Sequence, residues 1–373
     1  MEEAITKLFA VNLVVKAWGG EKVLVFTDLV RDDEEIGKDE KKRREGARRV
    51  ARTIAEVAKR LCNTHYIEYP SLGSHGTEPP ARVWEAAFGP RVLRTLRENG
   101  LLEKLLEKKV GAEEIKKCEE IVRERTFDPV TCVIALSNYS TSHTRFRDFI
   151  TRIAGARYAS MPLFEESMLD GAMAADWDAL RERTIGLALR LGGADAVHME
   201  TPNGTSISMS IKGREVLSDT GILSEAGSFG NLPAGEAYVA PVEGSANGKL
   251  VLEWAPTKKL KSPITLEVRD GTVVGVSGDD AFARELEWKI KENPLFGNIA
   301  ELGIGTNDMA TRADNILESE KILGTVHIAI GDNSSFGGMV RVPFHQDFVF
   351  FKPTLSVERG GTTVRILKDG DIV

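Results

Sequence analysis

The chain has 373 residues, of which 42% are hydrophobic and 28% are charged, a composition that is ordinary for a globular protein. Its formal net charge of -7 argues against a nucleic-acid partner, because phosphate binding needs clustered positive charge. The sequence has no apolar run as long as a membrane span, which needs about 18 residues, and no signal-peptide pattern at its start. We therefore predict no membrane association, and the length favours two domains.

Three cysteines, Cys62, Cys118 and Cys132, are far apart and odd in number. They offer neither a disulfide framework nor a CxxC zinc motif. Free thiols are typical of a reducing compartment, so we predict a cytoplasmic protein.

The first half of the chain alternates short apolar runs with amphipathic segments. The predicted strands are 23–26, 65–69, 131–136 and 157–161. The predicted helices are 39–61, 80–88, 90–108, 112–125, 144–154 and 176–191. This alternation is typical of a mainly parallel sheet with helices on both faces. We therefore predict an α/β domain at residues 1–193.

After Gly192-Gly193 the pattern changes to Thr-, Val- and Ser-rich strands. Asn-Gly and Asp-Gly pairs at 203–204, 247–248 and 270–271 predict tight hairpins between them. Helices are expected at 279–292 and 308–318. The sequence thus predicts an antiparallel, strand-rich α+β domain at residues 194–373.

The segment from Gly324 to Phe348 contains two of the six histidines. His345 and Asp347 are two residues apart, so in a strand both side chains point to the same face. His327 follows apolar residues and is expected on a neighbouring strand. These three side chains predict a metal site, although a hydrogen-bonded His-x-Asp pair is the simpler alternative.

Two further acids stand in apolar surroundings. Glu236 precedes an apolar run bounded by prolines, and Glu301 lies within an apolar stretch interrupted by glycines. A buried carboxylate is costly unless it is paired or bound to a cation. Together with the histidines and Asp347, these acids form a donor set without thiolates, suited to zinc, cobalt, manganese or iron.

The sequence resembles the metal-dependent aminopeptidases of the aminopeptidase T and aminopeptidase S type over most of its length. The resemblance rests on motifs that occur in the same order in both, namely Thr141-Ser-His-Thr-Arg145, Gly155-Ala-Arg-Tyr-Ala-Ser-Met-Pro162, Asn231-Leu-Pro-Ala-Gly-Glu236, Glu301-Leu-Gly, His327-Ile-Ala-Ile-Gly331 and His345-Gln-Asp347.

The resemblance implies a metalloprotease, a hydrolase that removes the N-terminal residue of peptides or acts on small amino-acid derivatives. It also implies a homodimer. Two ions of zinc, cobalt or manganese would activate water and polarise the scissile carbonyl. The ligands implied by the resemblance are Glu236, Glu301, His327, His345 and Asp347. Glu301 is expected to bridge the ions or to accept the proton of the water.

One position departs from the peptidase pattern, because Ser334 stands where those enzymes place a tyrosine. An iron-dependent relative, the dioxygenase that opens 2,5-dihydroxypyridine, gives the alternative prediction. In that case His327, His345 and Asp347 would bind one iron ion, as a two-histidine, one-carboxylate face. A non-catalytic protein that binds a metal or a small molecule is a further alternative.

Overall fold

A computed structural model describes residues 2–373. The chain forms two compact units. The first unit runs to Ala174 and also includes Gly221–Pro233, and the second comprises Ala175–Thr220 and Ala234–Val373. In the part of the chain that the structure describes, no helix is both long and apolar enough to cross a membrane.

The first unit contains a five-stranded parallel sheet with the order β2-β1-β3-β4-β8. Its strands are β1 Lys22–Leu29, β2 Asn63–Pro70, β3 Cys132–Ala135, β4 Arg157–Ser160 and β8 Phe229–Asn231. Its helices are α1 Glu2–Lys7, α2 Lys38–Leu61, α3 Ala81–Phe88, α4 Pro90–Glu98, α5 Leu102–Leu106, α6 Ala112–Arg125 and α7 Arg145–Asp148. Short π-helices follow α1 and α7, and two 3₁₀ turns lie at Glu166–Leu169 and Ala172–Ala174. The predicted α/β fold with a parallel sheet is confirmed.

The second unit contains two antiparallel sheets. An eight-stranded sheet has the order β12-β11-β10-β6-β5-β16-β17-β18, and a five-stranded sheet has the order β15-β14-β13-β9-β7. The strands are β5 Ala196–Glu200, β6 Ser206–Ser210, β7 Leu217–Asp219, β9 Glu236–Val239, β10 Asn247–Ala255, β11 Lys258–Arg269, β12 Thr272–Ser277, β13 Ile299–Gly305, β14 Val326–Gly331, β15 His345–Phe350, β16 Thr354–Arg359, β17 Thr362–Lys368 and β18 Asp371–Ile372. The helices are α8 Trp177–Leu191, α9 Ala281–Glu292 and α10 Ile316–Ser319, with a 3₁₀ turn at Pro294–Gly297. The predicted strand-rich α+β fold of this half is also confirmed.

The sequence predicts one boundary at residue 193, whereas the two units of the structure are each built from two segments of the chain. Helix α8 belongs to the second unit because Leu187 and Leu191 are buried in its hydrophobic core. Segment Gly221–Pro233 returns to the first unit, where β8 extends the parallel sheet beside β4.

Three predicted elements are wrong in detail. The helix at 90–108 is broken, because Gly100 adopts a left-handed conformation with φ +65° between α4 and α5. The pair Asn247-Gly248 begins β10 instead of forming a hairpin, and a Cβ at Gly248 would lie 2.2 Å from the carbonyl oxygen of Ser206. Of 308–318, only the end is helical, because the Glu318 carboxylate binds the backbone amides of Thr311 and Arg312.

Candidate metal centre

One face of the five-stranded antiparallel sheet carries all five predicted ligands. Glu236 lies on β9, Glu301 on β13, His327 on β14, and His345 and Asp347 on β15. As predicted, β14 and β15 are neighbours, so His327 approaches the His345 and Asp347 pair from the next strand. The sequence positions, although up to about a hundred residues apart, therefore converge on one surface.

Small residues on the same face make room for these side chains. Residues that are paired across antiparallel strands project to the same side. On at least one neighbouring strand, each of the five ligands is paired with a glycine or an alanine. The pairs are Glu236 with Gly305, His327 with Gly303, Glu301 and Asp347 with Ala329, and His345 with Gly331. The opposite face of these strands is apolar, since residues such as Leu302, Ile304, Ile328 and Ile330 are buried in the core. The sheet thus buries one face in the core and carries the polar donors on the other.

The donor atoms are within reach of a shared cation. Nε2 of His327 lies 3.2 Å from Glu236 Oε2 and 3.3 Å from Glu301 Oε1. Nε2 of His345 lies 3.5 Å from Glu301 Oε2 and 3.5 Å from Asp347 Oδ1. Two groups with ligand geometry result, Glu236 with Glu301 and His327, and Glu301 with His345 and Asp347. Glu301 belongs to both groups.

A backbone carbonyl group fixes the orientation of the His345 ring. Its Nδ1 lies 2.7 Å from the backbone carbonyl oxygen of Asp332, so this nitrogen carries the proton and donates it. Nε2 is then directed toward Glu301 and Asp347. Fixing the tautomer of a histidine through its other ring nitrogen is how proteins orient imidazole ligands of metals.

Burial and charge shift the pKa values of these groups in opposite directions. Burial opposes the charge of both histidines, but the neighbouring carboxylates outweigh it, raising the pKa of His345 to about 10 and that of His327 well above its ordinary value. Burial raises the pKa of Glu301, whereas His345 outweighs burial at Asp347 and lowers its pKa to about 2. The negative charge of the carboxylates, which favours a proton on each imidazole, also favours a divalent cation beside it.

The donor set fits a metal ion that accepts nitrogen and oxygen ligands. The three cysteines are buried in the first unit, and burial raises the pKa of Cys118 to about 11 and that of Cys132 to about 12. Among the described residues, neither group of candidate ligands includes a cysteine.

Lys321 is a member of the cluster that sequence reasoning missed. It is 0% exposed, and its Nζ lies 2.5 Å from Glu236 Oε1, 2.9 Å from Glu320 Oε1 and 3.8 Å from Asp219 Oδ2. Burial opposes its charge, but Glu236 and the two other acids outweigh burial and hold its pKa well above the ordinary value. The local sequence Glu-Ser-Glu-Lys is typical of an exposed polar turn, so no signal in the sequence marked this lysine.

Tyr238 was also missed, although a signal existed. It lies two residues after Glu236 on β9, and period-two alternation places both side chains on the same face. Gly303 pairs with Tyr238 on one side and with His327 on the other. Burial, followed by the charges of Glu301 and Glu236, raises the pKa of the phenol.

The loop between β14 and β15 covers one side of the cluster. Its Phe336 packs edge-on against Tyr238 and His345, with ring centroids 5.7 and 6.0 Å apart. Ser334 donates its hydroxyl to the Asp332 carboxylate at 3.2 Å, so it serves the turn of this loop. The chain therefore uses the position of the peptidase tyrosine for loop structure.

Glu243 anchors the same loop. Its carboxylate accepts hydrogen bonds from the Asn333 side chain at 2.9 Å and the Met339 amide at 2.7 Å, and it also pairs with Arg214. The loop that carries Phe336 is therefore held by charge-assisted hydrogen bonds.

The fold and this cluster define a protein with an α/β unit and an antiparallel unit that carries a candidate metal centre. The family model for 2,5-dihydroxypyridine 5,6-dioxygenase (NicX) matches residues 108–373. The chain belongs to this family.

A curated relative agrees with the family, and a solved structure agrees with the fold. A 2,5-dihydroxypyridine 5,6-dioxygenase of Pseudomonas putida strain KT2440 is 24% identical over 183 residues, which is 45% of this chain and 52% of the relative. The chain thus aligns with about half the length of that curated relative. The solved structure of 2,5-dihydroxypyridine dioxygenase from Pseudomonas putida KT2440 has a TM-score of 0.68 at 18% identity, covering 100% of this chain and 97% of the other.

The aminopeptidase prediction is wrong, and with it the assignment as a hydrolase or protease. AmpT from Thermus thermophilus is similar to this chain in fold, with a TM-score of 0.54 at 15% identity and coverage of 100% and 99%. At that identity the similarity shows the fold alone, whereas the family match identifies the dioxygenase family. The expected dependence on a metal agrees with both the family and the donor cluster.

Proposed function

We propose that this protein is an iron-dependent dioxygenase that opens the ring of 2,5-dihydroxypyridine or a close analogue. The main observation that supports this proposal is that His327, His345 and Asp347 converge around Glu301 on the sheet of a chain that belongs to this family. Two histidines and one carboxylate leave positions on a ferrous ion for substrate and oxygen.

Under this proposal His327, His345 and Asp347 hold the ion. Ferrous iron bound there would supply the one-electron chemistry by which dioxygen reacts with a closed-shell aromatic molecule. His345 keeps its orientation through the Asp332 carbonyl, and Asp347 provides the anionic ligand beside it.

Glu301 is the group that we propose accepts a proton from a substrate hydroxyl. It is 7% exposed and stands between the Nε2 atoms of both histidines, at 3.3 and 3.5 Å. A carboxylate in this position is within reach of a hydroxyl that approaches the ion. Removing that proton would make the ring more electron-rich and therefore easier to oxidise.

The aromatic side chains beside the ligands support a flat aromatic substrate. The rings of Phe336, Tyr238 and His345 form a contiguous set. Aromatic surfaces favour aromatic partners through offset and edge-on packing. Tyr238 lies on the same face, and we propose that its phenol donates a hydrogen bond to a ring oxygen or nitrogen of the substrate.

The test is oxygen consumption by the iron-loaded protein. Because both atoms of dioxygen enter the product and the C5–C6 bond breaks, no external reductant is needed. We expect oxygen uptake and loss of the substrate absorbance in a one-to-one ratio. Protein loaded with zinc serves as one control, and 2-hydroxypyridine and 3-hydroxypyridine, each lacking one hydroxyl, serve as matched substrate controls.

Two results would count against the proposal. Iron-loaded protein that binds its ion but consumes no oxygen with 2,5-dihydroxypyridine would favour a non-catalytic binding role. Equal turnover with the zinc-loaded protein would exclude oxygen chemistry at this ion.

A further inference from the structure

Lys321 places a fixed positive charge inside the donor cluster. Its Nζ contacts one oxygen of Glu236 at 2.5 Å and one oxygen of Glu320 at 2.9 Å, and the side chain is fully buried. The backbone around it is also fixed, because its carbonyl accepts the Asn307 amide at 2.8 Å. The ammonium group is therefore held beside Glu236, away from solvent.

By donor count alone, the cluster would accept two ions that share Glu301. One ion would take Glu236, Glu301 and His327, and the other Glu301, His345 and Asp347. The two groups differ in their surroundings. Among residues 2–373, the ion pairs of Glu301 and Asp347 are with histidines, whereas Glu236 also pairs with a lysine.

We infer that Lys321 neutralises Glu236 and thereby restricts the centre to one ion. A second ion bound to Glu236 would lie beside the ammonium group, and like charges in a buried site repel strongly. One Glu236 oxygen is also occupied by a charge-assisted hydrogen bond. Without Glu236, the first group retains only Glu301 and His327, and His327 already holds the single ion.

This inference rests on the proposed one-iron function and adds to it the residue that determines ion number. Glu236 is then the counterion of Lys321 and lies outside the coordination sphere. Such a lysine would direct the shared fold away from two-ion hydrolysis, in which both ions are needed to activate water and to polarise the carbonyl.

The experiment measures Mn²⁺ binding instead of turnover. Full-length protein stripped with a chelator is dialysed against Mn²⁺, and bound metal is counted while paramagnetic resonance separates isolated from exchange-coupled ions. We expect one isolated ion per chain for the wild type and for Lys321→Arg. Lys321→Met should bind two coupled ions. Lys249→Met, at an exposed position on β10, is the matched control and should bind one.

Glu236→Gln provides a second measurement if Lys321→Met does not fold. A residue outside the coordination sphere should change the Mn²⁺ dissociation constant less than threefold and leave one ion bound. Two ions in the wild type, one ion in folded Lys321→Met, or a tenfold loss of affinity in Glu236→Gln would each overturn the inference. A different result would contradict the proposed dioxygenase activity, namely no oxygen uptake by protein that holds one iron.

Discussion

The imidazole of His327 lies directly over Gly303 on the neighbouring strand. A Cβ atom at Gly303 would be 2.0 Å from Nε2 of His327 and 2.1 Å from its Cε1. The glycine therefore determines where the ring can lie, and with it the position of the nitrogen that faces Glu236 and Glu301. A residue with no side chain thus controls the geometry of the candidate metal centre.

We predict that Gly303→Ala displaces His327 and weakens metal binding. Metal affinity should fall about 10- to 100-fold, as for other changes that disturb the support of a ligand. The free energy of unfolding should fall by about 1–3 kcal/mol, because the added methyl overpacks the site. Metal titration and urea unfolding measure the two effects.

Gly275→Ala is the matched control for that substitution. Gly275 lies on β12, and its Cβ would meet the nearest atom, in Glu267, at an ordinary 3.6 Å. This variant should bind metal like the wild type. Unchanged metal affinity in Gly303→Ala would show that His327 does not need its observed position.

We predict that His345→Ala loses iron, because it removes one of the two neutral nitrogen ligands. Bound iron should drop from one per chain to below one tenth at equimolar metal, and oxygen uptake should be lost with it. The control is His198→Ala on β5, whose ring pairs with Ser208 and Glu200 away from the cluster. If both variants retain iron equally, His345 is not a ligand.

Tyr238→Phe should separate chemistry from metal binding. The ring contact with Phe336 is kept while the hydroxyl is lost. We expect kcat to fall about 10- to 100-fold, as for loss of one donor that stabilises developing charge, with iron content unchanged. Tyr66→Phe removes a hydroxyl that bonds Glu68 and should leave turnover unchanged. A normal kcat in Tyr238→Phe would remove this phenol from the reaction.

Glu78 in the first unit should make stability depend on pH. Its carboxylate is 2% exposed and accepts the backbone amides of Arg145 and Phe146, but burial outweighs these bonds and raises its pKa to about 7. Since the folded protein holds this proton more tightly than the unfolded chain, the stabilisation is complete below about pH 4.5 and is lost as pH rises through about 7.

The measurement compares unfolding free energies of the wild type and Glu78→Gln from pH 4.5 to pH 8. The advantage of the wild type should decrease by about 3 kcal/mol over this range. Glu124→Gln, at an exposed position of α6, controls for loss of a surface carboxylate. A difference that stays constant with pH would show that folding does not raise the pKa of Glu78.

Local periodicity in the sequence was sufficient to predict that His345 and Asp347 share one face of a strand. The i, i+2 spacing of His345 and Asp347 determines a shared face in any strand, and the structure places both on β15. Glu236 and Glu301 were added because each acid stands in apolar sequence, the family resemblance then implied that they are ligands, and the structure brings both to the cluster. Their roles, like the homodimer and the cytoplasmic location, stay predictions.

Other features depend on contacts that local patterns do not contain. Lys321 is buried because Glu236, 85 residues away in sequence, approaches it in the folded chain. The activity was assigned wrongly because the motifs were matched to the peptidase pattern, whereas the family model for 2,5-dihydroxypyridine 5,6-dioxygenase matches residues 108–373. Ser334 departs from the peptidase pattern, and the structure gives it a role in the loop.

One face of strand β14 packs in the core and the other faces the ligands, so substitutions on the two faces should have different effects. Val326, Ile328 and Ile330 are buried in the core, whereas His327, Ala329 and Gly331 face the ligands. Saturation mutagenesis should therefore find no neutral position along this strand. Alternate positions should yield two distinct defects: unstable protein, or folded protein that no longer binds its metal.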